Sequence, residues 1–194
     1  SGFVVAYAQT NAINVDIYSD LGVLQSSTIV SMGAANATGI TVCADDDGNG
    51  IFLFYSLNTG AGMRFRHITT GPIVVSAENI IGGSSGLSAG CTSFASGKAF
   101  VVWTSGAGGG AGRETWWAQV STTATVLGPS SLDGFVARSR PFLHNDQIWC
   151  TFGESRKRGH ILASWELNAT GNVIDGVAPA AYFSPFSSWA DTSN

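Results

Sequence analysis

Charge is scarce in this 194-residue chain. Asp, Glu, Lys and Arg together make up 11% of it, against about 25% in ordinary domains. The net charge is −4, so no basic field exists to attract a phosphate backbone, and nucleic acid is excluded as the expected partner. Long hydrophobic runs are missing too. None approaches the roughly 18 residues of a membrane-spanning helix, so no membrane span is expected. Cysteine appears only at Cys43, Cys91 and Cys150. An odd count excludes complete internal pairing, and no Cys/His spacing suggests a zinc site. The three are expected as small buried hydrophobes. Catalytic motifs are also lacking. His67, His144 and His160 stand apart with neither G-x-S-x-G nor H-E-x-x-H around them, and there is no phosphate-binding loop. The sequence does not open on Met, which fits a processed chain or an excerpt of a longer one.

What the chain does have is glycine, 25 residues of it, and a hydrophobic content of 44%. Strand-length apolar runs alternate with polar turns, and no helical period appears, so the chain reads as all-β. The runs repeat. GFVVAY ends at Tyr7, GIFLFY at Tyr55, AFVVW at Trp103 and IWCTF at Phe152, at spacings of 48, 48 and 49 residues. A loop follows each run, then a second strand: INVDIYS, GMRFRHI, TWWAQVS and HILASWEL. Next comes a turn (SDLG, TTGP, STTAT, NATG) and a third segment opening on an apolar pair. A fourth strand precedes the following copy: GITVCAD, GCTSFAS, RPFLHND and, near the C-terminus, SPFSSWAD. Four-stranded units recurring every 40–50 residues, roughly, are the signature of β-propeller blades. The expectation is therefore one domain over 1–194: a β-propeller of four-stranded blades, about 48 residues per blade, four blades in this chain. The two ends either complete one blade between them, or the chain is a four-blade portion of a larger propeller, with a homo-oligomer as another way to close the ring.

This pattern resembles the propeller repeats of large secreted bacterial proteins and of phage tail or fibre proteins. More weakly it is similar to the BNR repeats of sialidases, whose Asp box runs Ser-x-Asp-x-Gly-x-x-Trp. Here Ser19, Asp20 and Gly22 stand at the corresponding turn, one residue shorter and without the Trp, and the other copies carry no Asp. The first resemblance implies a virion or extracellular location and partners that are protein subunits of a larger assembly or surface glycans. The second implies a tyrosine nucleophile among arginines, for which Arg113, Arg138 and Arg140 are the nearest candidates.

The most acidic stretch is DDDGNG at 45–50. It falls where one strand turns into the next, a place filled by ASGK and HNDQ in other copies, so a solvated turn explains it. Asp45, Asp47 and Asn49 also match the first half of a calcium loop, though Ser56 stands where the last ligand, a Glu, belongs. Calcium is the one candidate cofactor; otherwise none is expected. Propeller geometry sends the long loops to one face, and loops on a rigid scaffold carry binding. There Arg113, Glu114, Trp116 and Trp117 follow a glycine-rich loop, and Arg156, Lys157 and Arg158 form a basic tip beside Glu154. Neighbouring tryptophans on a strand point to opposite faces, so one is expected between blades and the other is free to stack on a ligand. Arg64 and Arg66 alternate with Met63 and Phe65, which reads as an exposed strand face. The candidate binding residues are thus Arg113, Glu114, Trp116, Trp117, Arg156 and Arg158, with no catalytic set. The expected function is a non-enzymatic structural or interaction module. A lectin-like glycan-binding propeller is the alternative, and a sialidase-like glycoside hydrolase remnant a second one.

Overall fold

The computed structural model describes residues 2–31, 36–58, 62–83, 86–105, 114–133, 135–137, 140–154, 160–173 and 178–183. All regular structure among them is strand. Four antiparallel sheets follow one another along the chain. The first is β1 (Gly2–Gln9), β2 (Ala12–Ser19) and β3 (Leu24–Ser31). The second is β4 (Ala37–Ala44), β5 (Gly50–Leu57) and β6 (Met63–Thr70), with β7 (Ile73–Val75) and β8 (Asn79–Gly82) both paired to β6. The third is β9 (Gly86–Ala95), β10 (Lys98–Ser105), β11 (Glu114–Ser121) and β12 (Thr125–Asp133). In the fourth, β13 (Phe135–Ala137) and β14 (Phe142–His144) both pair with β15 (Gln147–Glu154), which is followed by β16 (His160–Glu166) and β17 (Ala178–Phe183).

The repeated apolar runs become β1, β5, β10 and β15, and the second strands become β2, β6, β11 and β16. The edges of the repeat vary more than the sequence suggests. The outer strand of the second sheet is split in two, and so is the inner strand of the fourth. The first sheet has three strands among the described residues; the SPFSSWAD run expected to join it lies outside them.

Strand periodicity explains how the sheets pack. Alternate residues of a strand face opposite ways, so a central strand buried on both faces is apolar throughout, and all eight residues of β5 are buried. Ile51, Leu53, Tyr55 and Leu57 meet Ile13, Val15 and Val30 of the first sheet. The intervening Phe52 and Phe54, with Phe65 and Met63, meet Ala99, Val101 and Trp103 of the third. On β10 the pattern repeats: Phe100 and Val102, joined by Trp117, pack on Ile148, Cys150, Phe152 and Trp165 of the fourth. Three successive layers result, each contributed by the trailing face of one sheet and the leading face of the next. Each fully buried large side chain contributes about 1.5–3 kcal/mol. Cys91 and Cys150 are buried as expected, Cys43 is only partly covered, and none of the three is in a disulfide.

Side chains at the turns reinforce the layers. Lys98 Nζ donates to the carbonyls of Thr170 (2.8 Å) and Gly171 (3.3 Å). Gln119 donates to Asn172 Oδ1 at 3.0 Å and accepts the Val173 N–H at 2.8 Å, so one amide closes both ends of a bond between the third and fourth sheets.

Candidate functional site

The acidic turn is built first by its own backbone. The Asp45 N–H donates to the Gly50 carbonyl at 2.8 Å and the Gly48 N–H to the Asp45 carbonyl at 2.9 Å. Asp47 Oδ1 accepts the Asn49 N–H at 2.8 Å. This bond, with a lesser one from Ser96, holds the Asp47 carboxyl below the usual carboxylate range. What the turn does next was not legible in the sequence: it grips the following sheet. Asp45, 4% exposed, accepts the Gly97 N–H on Oδ1 at 2.8 Å and faces His67 Nε2 on Oδ2 at 3.1 Å. The Asp46 N–H donates to Ser93 Oγ at 3.0 Å, and Ser96 Oγ donates to Asp47 Oδ2 at 3.1 Å. Gly50 makes the arrangement sterically feasible, since a Cβ there would stand 2.5 Å from His67 Nε2. Both oxygens of Asp45 and of Asp47 are therefore engaged by protein donors, and the Asn49 carbonyl accepts from Thr70. Among the described residues no three His, Cys, Asp or Glu side chains are placed to hold a metal ion together.

A second polar cluster gathers around Glu78. Tyr55 Oη donates to Glu78 Oε2 at 2.6 Å, and Arg64 forms an ion pair with Glu78 Oε1. Arg66 Nε donates to Tyr55 Oη at 3.2 Å, and Arg66 Nη1 to the Ser76 carbonyl at 2.7 Å. Arg64 and Arg66 are thus not the open face expected of them: the 76–80 segment folds back so that Ile80 pairs with Arg64, which brings Glu78 over both. No spacing motif links Glu78 to Tyr55, so the sequence held no signal for this cluster. Burial, then the bond to Glu78, pushes the Tyr55 hydroxyl up to about 12. That is the opposite of what a tyrosine nucleophile needs, and Tyr55 is 0% exposed.

The turn that resembles the sialidase box has a simpler local role. Ser19 Oγ accepts the Val23 N–H at 3.2 Å. At the equivalent turns Ser121 Oγ accepts the Ala124 N–H at 3.1 Å and Asn168 Oδ1 accepts the Asn172 N–H at 2.9 Å. A short polar side chain at the first turn residue closes each hairpin.

On the long-loop side, Glu114 opens β11 and is half-buried. Trp117 is 2% exposed, stacked on Phe100 at 5.6 Å and edge-on to Trp165 at 5.7 Å. Trp116 stacks on Trp103 at 6.4 Å. A Cβ on Gly83, at φ +70°, would stand 3.1 Å from Trp103 and 3.2 Å from Trp116, tighter than ordinary contact. The adjacent tryptophans do split between two faces, but each face is an inter-sheet layer, so Trp117 presents no ring face for a ligand. Arg113, Arg138, Arg156 and Arg158 lie outside the described residues. Arg140 is found elsewhere, lining a cavity of about 270 Å³ with Val4, Val5 and Ala6 of β1 and Ile40, Thr41 and Val42 of β4. No helix among the described residues is long and apolar enough to cross a membrane. Comparison with protein families, curated proteins and solved structures finds no match.

Proposed function

We propose that the four sheets are blades of a β-propeller and that the chain is a non-enzymatic structural or interaction module, of a phage tail or an extracellular surface protein. One observation carries this reading: three consecutive face-to-face layers use the same alternation on the same repeated strand. A scaffold of that kind presents loops at its ends, and loops on rigid scaffolds are where binding resides. The polar clusters support the same reading, because Asp45 and Glu78 spend their carboxylates on holding strands and sheets together. Its partners would be protein subunits or surface glycans.

The test is a broad panel of fluorogenic glycosides, sialosides included, run beside a glycan array on the intact chain. No turnover is expected. Turnover abolished by Glu114→Gln would overturn the module reading in favour of a hydrolase. Array binding lost in Trp116→Ala, with the melt unchanged, would move it to a lectin.

A further inference from the structure

Two of the three cysteines meet. Cys43 of β4 pairs with Phe52 of β5, and Cys91 of β9 pairs with Val101 of β10. Directly opposed residues of an antiparallel pair put their side chains on one face, so each cysteine follows its partner. In the repeat Phe52 corresponds to Phe100, and Leu53 to Val101. The two cysteines are therefore one residue out of step. Alternation turns them opposite ways: Cys43 looks forward to the third sheet, and Cys91 looks back to the second. Both lie in the one layer that holds Phe52, Val101 and Trp103.

The strands that carry them run side by side. Thr38 Oγ1 donates to the Gly86 carbonyl at 3.1 Å, Thr41 Oγ1 lies 3.6 Å from Cys91 Sγ, and the Asp46 N–H donates to Ser93 Oγ at 3.0 Å. Cys43 falls between the second and third of these contacts, and a side-chain hydrogen bond joins it to Cys91. Cys150 belongs to the next layer, with Phe100 and Trp165. Cys91 is 5% exposed. Cys43 also lines a cavity of about 180 Å³ with Gly2, Phe3, Val4, Val42 and Ala44, so a small oxidant has a way to one sulfur of the pair.

We infer that Cys43 and Cys91 are an oxidation site, at which a peroxide joins them in a disulfide that staples the second sheet to the third. Peroxide reaching the Cys43 sulfur leaves one oxygen on it as a sulfenic acid, and the other departs as water. The Cys91 sulfur then attacks the Cys43 sulfur. The S–O bond breaks, and the hydroxyl leaves with the Cys91 proton as a second water. Two thiols and one peroxide thus become one disulfide and two waters. The sulfurs have only to close from hydrogen-bond contact to about 2.0 Å. The bond to Cys91, then burial, pushes the Cys43 thiol well above its ordinary range. Thiolate is therefore scarce, and proximity rather than reactivity favours the step. The inference is independent of what the module binds.

The experiment treats the unaltered full chain with hydrogen peroxide, alkylates it in denaturant and maps the peptides. The expected product is a monomer that takes up one alkyl group, at Cys150, where the untreated chain takes up three. It carries a Cys43–Cys91 cross-linked peptide that a thiol reductant releases. Three alkyl groups after treatment overturn the inference. So does a Cys43 sulfinic acid beside an alkylated Cys91, and so does a link to Cys150 or between two chains. Stapling is read from the melt. The oxidised chain should melt higher by on the order of 5 °C, and reduction should abolish the gain. An oxidised chain that melts no higher than the reduced one overturns the staple.

Discussion

β1 and β10 carry almost the same strand and meet different fates. Phe3, Val5 and Tyr7 of β1 are 49%, 39% and 40% exposed, whereas Ala99, Val101 and Trp103 at the same three places of β10 are 0% exposed. The alternation is the same in both, and both turn these residues toward the preceding sheet's position. Alternation decides which face a side chain takes; burial on that face is decided by whether another sheet lies against it. For β10 that sheet is the second, through Phe54 and Phe65. For β1 no described residues cover the face.

The largest effects sit on the covered side of this comparison. Trp103→Ala should cost about 3–5 kcal/mol, the usual range for an aromatic removed from a close-packed layer. Val101→Ala should cost about 1.5–3 kcal/mol, and Val5→Ala below about 1 kcal/mol. Denaturant melts of the three variants measure all of this. A Val5 loss as large as that of Val101 would break the comparison and show that the leading face of the first sheet is covered in solution.

The same contrast runs on a smaller scale within the acidic turn. Asp45 is buried and joins two sheets through the Gly97 backbone, while Asp47 is exposed, closes its own turn and reaches the next sheet only through the Ser96 hydroxyl. Asp45→Ala should therefore lower stability by about 3 kcal/mol, since it strands the Gly97 N–H and the His67 ring. Asp47→Asn should cost less, and in a pH-dependent way. The folded-state carboxyl is held below its ordinary range by the Asn49 N–H. Its contribution is then present above that range and fades as pH falls through the lowered value. Unfolding curves of wild type and variant should converge in acid. The wild-type melt is expected to be the same with calcium and with chelator. A calcium-dependent rise that disappears in Asp47→Ala would assign the turn to an ion instead.

The repeat explains why so much of the fold was readable and so little of the site. Central strands such as β5 and β10 are buried on both faces, so they must be apolar without interruption, and four copies in register identify them. Outer strands face fewer neighbours, which loosens their sequence; hence the split of β7 from β8 went unforeseen. Trp117 shows the limit for sites. Its place on a strand beside a glycine-rich loop suits a stacking ligand as well as it suits a layer, and only the arrival of Trp165 from the next sheet decides. Asp45 teaches the same lesson. Its partners His67 and Gly97 lie 22 and 52 residues away, so a local motif search cannot find the inter-sheet clasp that the fold builds around it.

The Glu78 cluster supplies the most delicate test, because it compares the buried Tyr55 hydroxyl with that of the exposed Tyr7 in the same chain. Burial first, then the bond to Glu78, pushes Tyr55 up to about 12, against an ordinary value of 10.0. The folded state therefore holds this proton more tightly than the unfolded chain does. Its contribution to stability is complete below the ordinary tyrosine value and is lost as pH rises through about 12. Tyrosinate absorbance followed against pH should show a late phase, and that phase should be missing in Tyr55→Phe. The variant should also melt slightly lower near neutral pH, because Glu78 Oε2 loses its donor while Arg64 continues to hold Oε1. If Tyr55 instead titrates at the ordinary tyrosine value of 10.0, solvent reaches it, and the layer between the first and second sheets is open at its outer end. The chemistry around Glu78 would then have to be read as a pocket that admits a ligand rather than as a clamp between strands.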